Sequence, residues 1–307
     1  MIRATVLAVA LGLIVVPISE LMFWPVAMWR VPGLLAVYGL AALFCMAWTE
    51  PLGVRGWIVI VLAGGIFGWL IEGVIVGEAY EAVPFSLIWT PLAWHMLLSV
   101  AVGVAILRMA LLAQSVWPSL LTFALLGGFA GLWGAYGWTA LEVDLTGQGM
   151  GFMSQICLAA MMLVFGHLTL DHLPDGTMPN AIRFALSGLA ALVWLIAWGL
   201  PSGVVALTVP LLIGVSLWGL ARLGGHGPIR WGRVPPRRYL AAFVLPAIAI
   251  PIQNWVKDAA FVAEINVLVA MPSVALGAGA WLWAMISALR ARRATPPGHA
   301  SGSRPGD

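Results

Sequence analysis

The chain has 307 residues, of which 62% are apolar and only 9% charged, against roughly 25% charged in ordinary soluble domains. A soluble fold cannot hide that much apolar surface, and disordered chains are charge-rich and apolar-poor. Thirty-five glycines without a G-X-Y period and only two cysteines also exclude collagen-like and disulfide-scaffold chains; what remains is an all-α, multi-pass integral membrane protein.

A spanning helix needs about 20 predominantly apolar residues. Ten such segments follow one another, at approximately 4–23, 33–49, 56–77, 85–107, 117–138, 151–170, 181–200, 203–222, 238–257 and 263–289. Met1-Ile2-Arg3 and the apolar run after it resemble the front of a signal peptide, but no small-x-small cleavage site follows, so this segment is expected to remain as the first span. Trp24-Pro25, Glu50-Pro51 and the 171–179 stretch mark boundaries, and only Leu200-Pro201-Ser202-Gly203 separates the seventh and eighth spans, a tight hairpin. Period-2 alternation is absent, so barrel strands are not expected.

Arg and Lys in short loops set orientation. Fourteen of the fifteen basic residues are Arg. Arg222, Arg230, Arg233, Arg237 and Arg238 fill one loop, and Arg290, Arg292 and Arg293 follow the last span. With both regions cytoplasmic, Arg183, Arg108, Arg55 and Arg3 fall on the same side. Glu78, Glu81, Glu142 and Asp144 fall outside, with Arg30 and Lys257 as the basic exceptions. The count is N-in and C-in, in an inner membrane. Residues 1–293 form a single transmembrane domain, and residues 294–307, built of Pro, Gly, Ser and Arg, form a disordered cytoplasmic tail. The positive net charge of +3 thus belongs to topology and does not point to nucleic acid. Cys45 and Cys157, inside apolar runs, read as buried small hydrophobes.

Most of the seventeen Trp fall at span ends, as interfacial belts require. Trp69, Trp94, Trp133 and Trp194 lie deeper, where they either pack the core or line an apolar cavity.

Ionisable residues within spans are functional-site candidates by default. Glu20 ends the first span, where water can reach it. Glu72 lies among Gly64, Gly65, Gly68 and Trp69. Gly65, Gly68 and Glu72 share a helix face, and small residues there admit a neighbouring helix, turning Glu72 into the bundle. It sits about 7 Å below the outer interface. His95 lies about 15 Å along the fourth span, near the midplane, after Pro91, which frees the Leu87 carbonyl. Thr90, that carbonyl and His95 are expected to share one polar pocket, with Glu72 in water-bridged reach and the depth difference against direct contact. Glu72, His95 and Glu20 are the candidate catalytic residues, for acid–base chemistry.

Pro246 and Pro251 disrupt the ninth span, which ends in Gln253-Asn254-Trp255-Val256-Lys257-Asp258. Lys257 either snorkels to Asp258 or Glu264 or, with Asn254, lines the mouth of the same cavity. Trp69, Trp94, Asn254 and Lys257 are therefore the candidate substrate-binding residues. At the opposite end, His167 and Asp171 stand at i, i+4 and can share a metal, but helix capping and a solvated loop are the favoured reading. No phosphate loop, HExxH, Asp-rich diphosphate motif or paired haem histidines occur, and the pattern names no cofactor.

Ten spans with both ends inside match the size and topology of drug/metabolite-type transporters, but the two halves do not match in hydropathy, so no family follows. Three functions fit. The first is an enzyme acting on a lipophilic substrate through Glu72 and His95. The others are a proton-coupled small-molecule transporter and a non-catalytic subunit packing against partner membrane subunits. Membrane lipids, and a lipophilic small molecule in the first two cases, are the expected partners.

Overall fold

A computed structural model describes residues 1–52, 56–139, 150–174, 176–223, 231–259 and 261–291. Among these there are ten helices long and apolar enough to cross a membrane. They are α1 (Ile2–Leu21), α2 (Met28–Pro51), α3 (Trp57–Val76), α4 (Phe85–Leu112), α5 (Trp117–Trp138), α6 (Phe152–Asp171), α7 (Asn180–Gly199), α8 (Gly203–Leu223), α9 (Pro236–Val256) and α10 (Val262–Arg290). All ten expected spans are present, and no β-strand occurs among the described residues. The ends differ most at α2, which starts earlier, and at α4, which runs further. Arg55, Glu142, Asp144, Arg230, Arg292, Arg293 and the tail at 294–307 lie outside the described residues.

Successive helices alternate in direction, giving the bundle two chemically different ends. At the basic end Arg3 of α1 bonds Glu50 of α2 and the carbonyl of Pro174, just after α6. The second Glu50 oxygen takes the Met178 amide at 3.2 Å. Glu50 is only 2% exposed, so this ion pair closes the bundle rather than decorating it. At the opposite end a second device ties the α1–α2 turn. Buried Gln155 of α6 donates to the carbonyls of Leu21 and Trp24 and accepts from the Val26 amide at 3.1 Å.

Helix α3 is the most enclosed, packed against α2, α4, α8 and α10, whereas α7 has no buried residue and packs mainly against α2, α3 and the hairpin into α8. The small-residue face of α3 explains its place. A Cβ at Gly68 would stand 2.1 Å from the Pro91 carbonyl oxygen of α4, and one at Gly64 2.9 Å from Met96. Only glycine lets α3 and α4 approach this closely. Gly127 and Gly131 of α5 seat α9 in the same way, against the Leu245 and Ala249 carbonyls. Contrary to expectation, α9 is helical through Pro251, and Pro246 is the third residue of its α-helical part, Val244–Val256, where amides lack an α-helical acceptor. Cys45 and Cys157 are both free thiols.

Among the described residues, wide π-type turns occur in four helices, and three of these stretches carry polar side chains, the exception being Leu195–Gly199 of α7. Pro17–Leu21 of α1, Leu70–Val76 of α3 and Trp89–Ile106 of α4 wind as wide π-type turns. Bonds such as Gly77 N–H to Glu72 O at 2.9 Å and Ala93 N–H to Ile88 O at 3.1 Å span five residues. Wide turns leave carbonyls to be satisfied from elsewhere and are concentrated at functional sites in proteins generally.

Candidate functional site

The wide turns of α1, α3 and α4 carry Ser19 and Glu20, Glu72, and His95 and Ser99 respectively. All five polar side chains meet between the three helices, with Tyr38 of α2 completing the group. His95 Nε2 stands 2.7 Å from Glu72 Oε1. On its other side, His95 Nδ1 faces Ser19 Oγ at 3.4 Å and Ser99 Oγ at 3.5 Å, and the two hydroxyls bond one another at 2.7 Å. The imidazole is held edge-on between the rings of Tyr38 and Phe67, with centroids 5.9 and 5.8 Å away. Tyr38 donates its hydroxyl hydrogen to Glu20 Oε1. Glu20 lies close enough to His95 and Glu72 to interact with both electrostatically.

This cluster forms the floor of a cavity of about 580 Å³ that opens at the end opposite the basic one. Ser19, Glu20, Tyr38, Glu72 and His95 line its depth, Trp24, Trp89, Trp94 and Thr90 its walls, and Glu78, Ile75 and Val76 its mouth. Glu72 is 6% exposed, and its Oε2 has no hydrogen-bond partner. A buried carboxyl oxygen without a partner costs free energy, and the residue that carries it lines the cavity. Three carboxyl groups and one imidazole line the cavity, with no Arg or Lys among the lining residues. Burial first, then the nearby charges of Glu72 and Glu81, raise the Glu78 titration above the ordinary carboxyl range, with His95 opposing.

The direct Glu72–His95 contact corrects the expected separation in depth. Residues Phe85–Leu87 form a single tight turn before the wide helix begins at Trp89. His95 is therefore six residues into that helix rather than ten, about 9 Å by α-helical rise and less in wide turns. Glu72 is four residues from the end of its own helix at Val76, so the two side chains lie at similar levels. The Leu87 carbonyl, freed by Pro91, is not part of the pocket. It accepts the Trp69 indole N–H at 3.0 Å.

That bond explains Trp69, which is 1% exposed and packs edge-on against Trp281. It does not line the cavity. Trp94 does, while its indole donates to the Ser19 carbonyl at 3.1 Å. Trp194 donates to the Tyr80 hydroxyl at 3.1 Å. Three of the deep tryptophans thus serve backbone or hydroxyl acceptors at the irregular helix ends, and Trp133 packs between Trp24 and Trp94. Asn254 and Lys257 are exposed at the end of α9 and stand apart from the cavity, because α9 is seated on α5 and α6 on the far side of α1.

His167 and Asp171 also part company. Asp171 Oδ1 takes the Arg108 guanidinium at 2.5 Å and the Val234 amide at 3.1 Å, and Oδ2 takes the Tyr239 hydroxyl at 2.6 Å. Arg108, 4% exposed, also donates to the carbonyls of His167, Trp231 and Gly232. The carboxylate is fully engaged as an anchor joining α4, α6 and the start of α9. Among the described residues no group of three or more His, Cys, Asp or Glu is arranged to hold a metal ion.

Sequence reasoning passed over Tyr38, Ser19 and Ser99. A hydroxyl in a span is common, and nothing local marks these three. The proline before Ser19 and the carboxyl beside it are the only signals near the α1 pair. Comparison with family models, curated proteins and solved structures yields no match.

Proposed function

We propose that this multi-pass membrane protein is an enzyme that carries out acid–base chemistry on a lipophilic substrate, with Glu72 and His95 as the proton-exchanging pair. The observation that carries this reading is the 2.7 Å contact between two residues that both line the cavity, with Glu72 Oε2 buried and unpartnered. Oε2 is the atom that meets substrate. Protonated, it donates to a leaving or developing negative oxygen; ionised, it takes a proton from a hydroxyl or amine. His95 shares the proton through Oε1, and Ser19 and Ser99 hold the ring so that Nε2 stays aimed at the carboxyl. Glu20, held by Tyr38, supplies a second carboxyl on the same cavity. Two carboxyls in different surroundings are the usual arrangement for separate acid and base roles.

The bias of Arg residues puts the basic end in the cytoplasm and the cavity mouth outside an inner membrane. A substrate then arrives from the outer leaflet or from the outer aqueous phase.

The test uses the full chain in lipid nanodiscs, incubated with a total membrane-lipid extract and followed by mass spectrometry. The expected result is one lipophilic species consumed by the wild type and consumed at least tenfold more slowly by Glu72→Gln, about 1.4 kcal/mol in barrier. Equal rates for the two proteins overturn the reading. If no species is consumed and sealed vesicles instead show pH-dependent uptake that Glu72→Gln removes, the site is that of a proton-coupled transporter.

A further inference from the structure

A second, apolar depression adjoins the polar cavity. It lies between α2, α3 and α7, has a volume of about 250 Å³, and shares Val37 and Ile75 with the cavity. Leu40, Phe44, Leu189 and Val193 form much of the rest, and hardly any polar surface faces it.

The groove lies beside the stretch of α7 between two sets of hydrogen bonds that fasten it to its neighbours. Near the basic end the Trp48 indole donates to Ser187 Oγ at 3.3 Å. Near the cavity end Trp198 donates to the Val74 carbonyl at 3.1 Å, and Trp194 to the Tyr80 hydroxyl, which itself donates to the Gly73 carbonyl at 2.7 Å. Burial pushes the Tyr80 phenol up to about 12, against the Trp194 bond, so it remains a neutral donor. Both carbonyls belong to the wide turn that carries Glu72. Along α7 the groove runs from Leu186 to Val193, about 10 Å by helical rise.

Resting on the reading of the cavity as the substrate site, we propose that the substrate is a single-chain amphiphile whose aliphatic tail lies in the α2–α3–α7 groove. Its head, a hydrogen-bond-donating amine or hydroxyl, reaches Glu72. Continuity through Val37 and Ile75 lets one molecule occupy both spaces. The head chemistry follows from charge. Glu20, Glu72 and Glu78 face the cavity without Arg or Lys, so a phosphate or carboxylate head meets like charge. A donor head gives Glu72 Oε2 the partner it lacks, and the walls of Trp24, Trp89 and Trp94 offer ring faces to an ammonium.

The test uses long-chain amine, alcohol and phosphate-monoester probes, each with a photoreactive diazirine in mid-chain. Each is added to the full-length protein in nanodiscs and mapped by peptide mass spectrometry. The amine and alcohol are expected to label α7 between Leu186 and Val193 at least tenfold more than the phosphate. Ala190→Trp, which fills the groove, is expected to cut that labelling at least fivefold. Should that variant not fold, competition by unlabelled long-chain amine on the wild type must give the same loss. Equal labelling by the phosphate overturns the head assignment. Labelling spread over other lipid-facing helices, or indifferent to Ala190→Trp and to competition, overturns the groove. Labelling that persists while Glu72→Gln leaves turnover unchanged removes the acid–base chemistry and leaves the amphiphile site standing. Lost labelling with Glu72-dependent turnover intact removes only the groove.

Discussion

Glu72 and His95, twenty-three residues apart on antiparallel neighbours, meet at 2.7 Å where both helices wind in wide turns. Their contact depends on Gly68, which brings the Pro91 backbone of α4 against α3. The chemistry proposed for the pair and the packing that permits it are therefore separable by substitution.

The pair itself is tested by a double-mutant cycle. Glu72→Gln keeps the side-chain volume and a group able to bond His95, so its unfolding midpoint in detergent is expected to move little. His95→Ala leaves a buried carboxyl and two hydroxyls short of a partner, a loss of about 1–3 kcal/mol. In turnover, His95→Asn is expected to cost as much as Glu72→Gln, and the double variant little more than either, because residues acting as a unit are not additive. Independent, additive losses would show that the two do not share one step.

Gly68→Ala probes the packing. Its Cβ would overlap the Pro91 carbonyl, so α3 and α4 must separate, at a cost of about 1–3 kcal/mol. Gly188→Ala and Gly214→Ala meet nothing within 4 Å and should be neutral in the same melting experiment. Equal midpoints for Gly68→Ala and the two controls would show that the close approach is not required.

The basic end also holds the buried Arg108–Asp171 pair. Arg108→Ala leaves Asp171 buried without its cation, and breaking such a pair costs about 3–5 kcal/mol. Tyr239→Phe removes one hydrogen bond to the same carboxylate, and about 1 kcal/mol is expected. Thermal unfolding of the purified variants ranks them, and a reversed order would remove Arg108 as the anchor.

Glu78 gives the cavity mouth a pH dependence. Burial and neighbouring carboxylates raise its titration, so it gains a proton at a higher pH than an ordinary carboxyl. Its negative charge is present above that raised range and lost as pH falls through it. Association of a cationic amphiphile is therefore expected to slow as pH falls, and the slope to flatten in Glu78→Gln. Rapid-mixing fluorescence, using the cavity tryptophans, reads the rate. An unchanged slope would place the titration elsewhere.

Sidedness follows from labelling of intact cells. A single cysteine at Glu81, in a background without Cys45 and Cys157, should react with an impermeant maleimide. Cysteines at Gly227 or Ser301 should react only after permeabilisation. Labelling of Gly227 in intact cells would invert the topology.

Composition alone determined the ten spans, because each segment partitions between water and lipid largely by its own residues. Arg placement marked the two ends, and the carboxyls at positions 20 and 72 and the imidazole at 95 stood out because an ionisable group in hydrocarbon is costly wherever its partner lies. The glycines of α3 marked a close helix approach for a similarly local reason. Only the tertiary structure decided who partners whom. Tyr38, Ser19 and Ser99 joined the site through contacts between helices, and Arg108 took Asp171 across sixty-three positions of sequence. Trp69 proved to be a donor to a carbonyl displaced on the next helix. The depth of His95 was misjudged for a related reason. Rise per residue changes with the width of the turn, and that width is set by which neighbours accept or donate the displaced backbone hydrogen bonds, information that resides in the packed bundle and in no single segment.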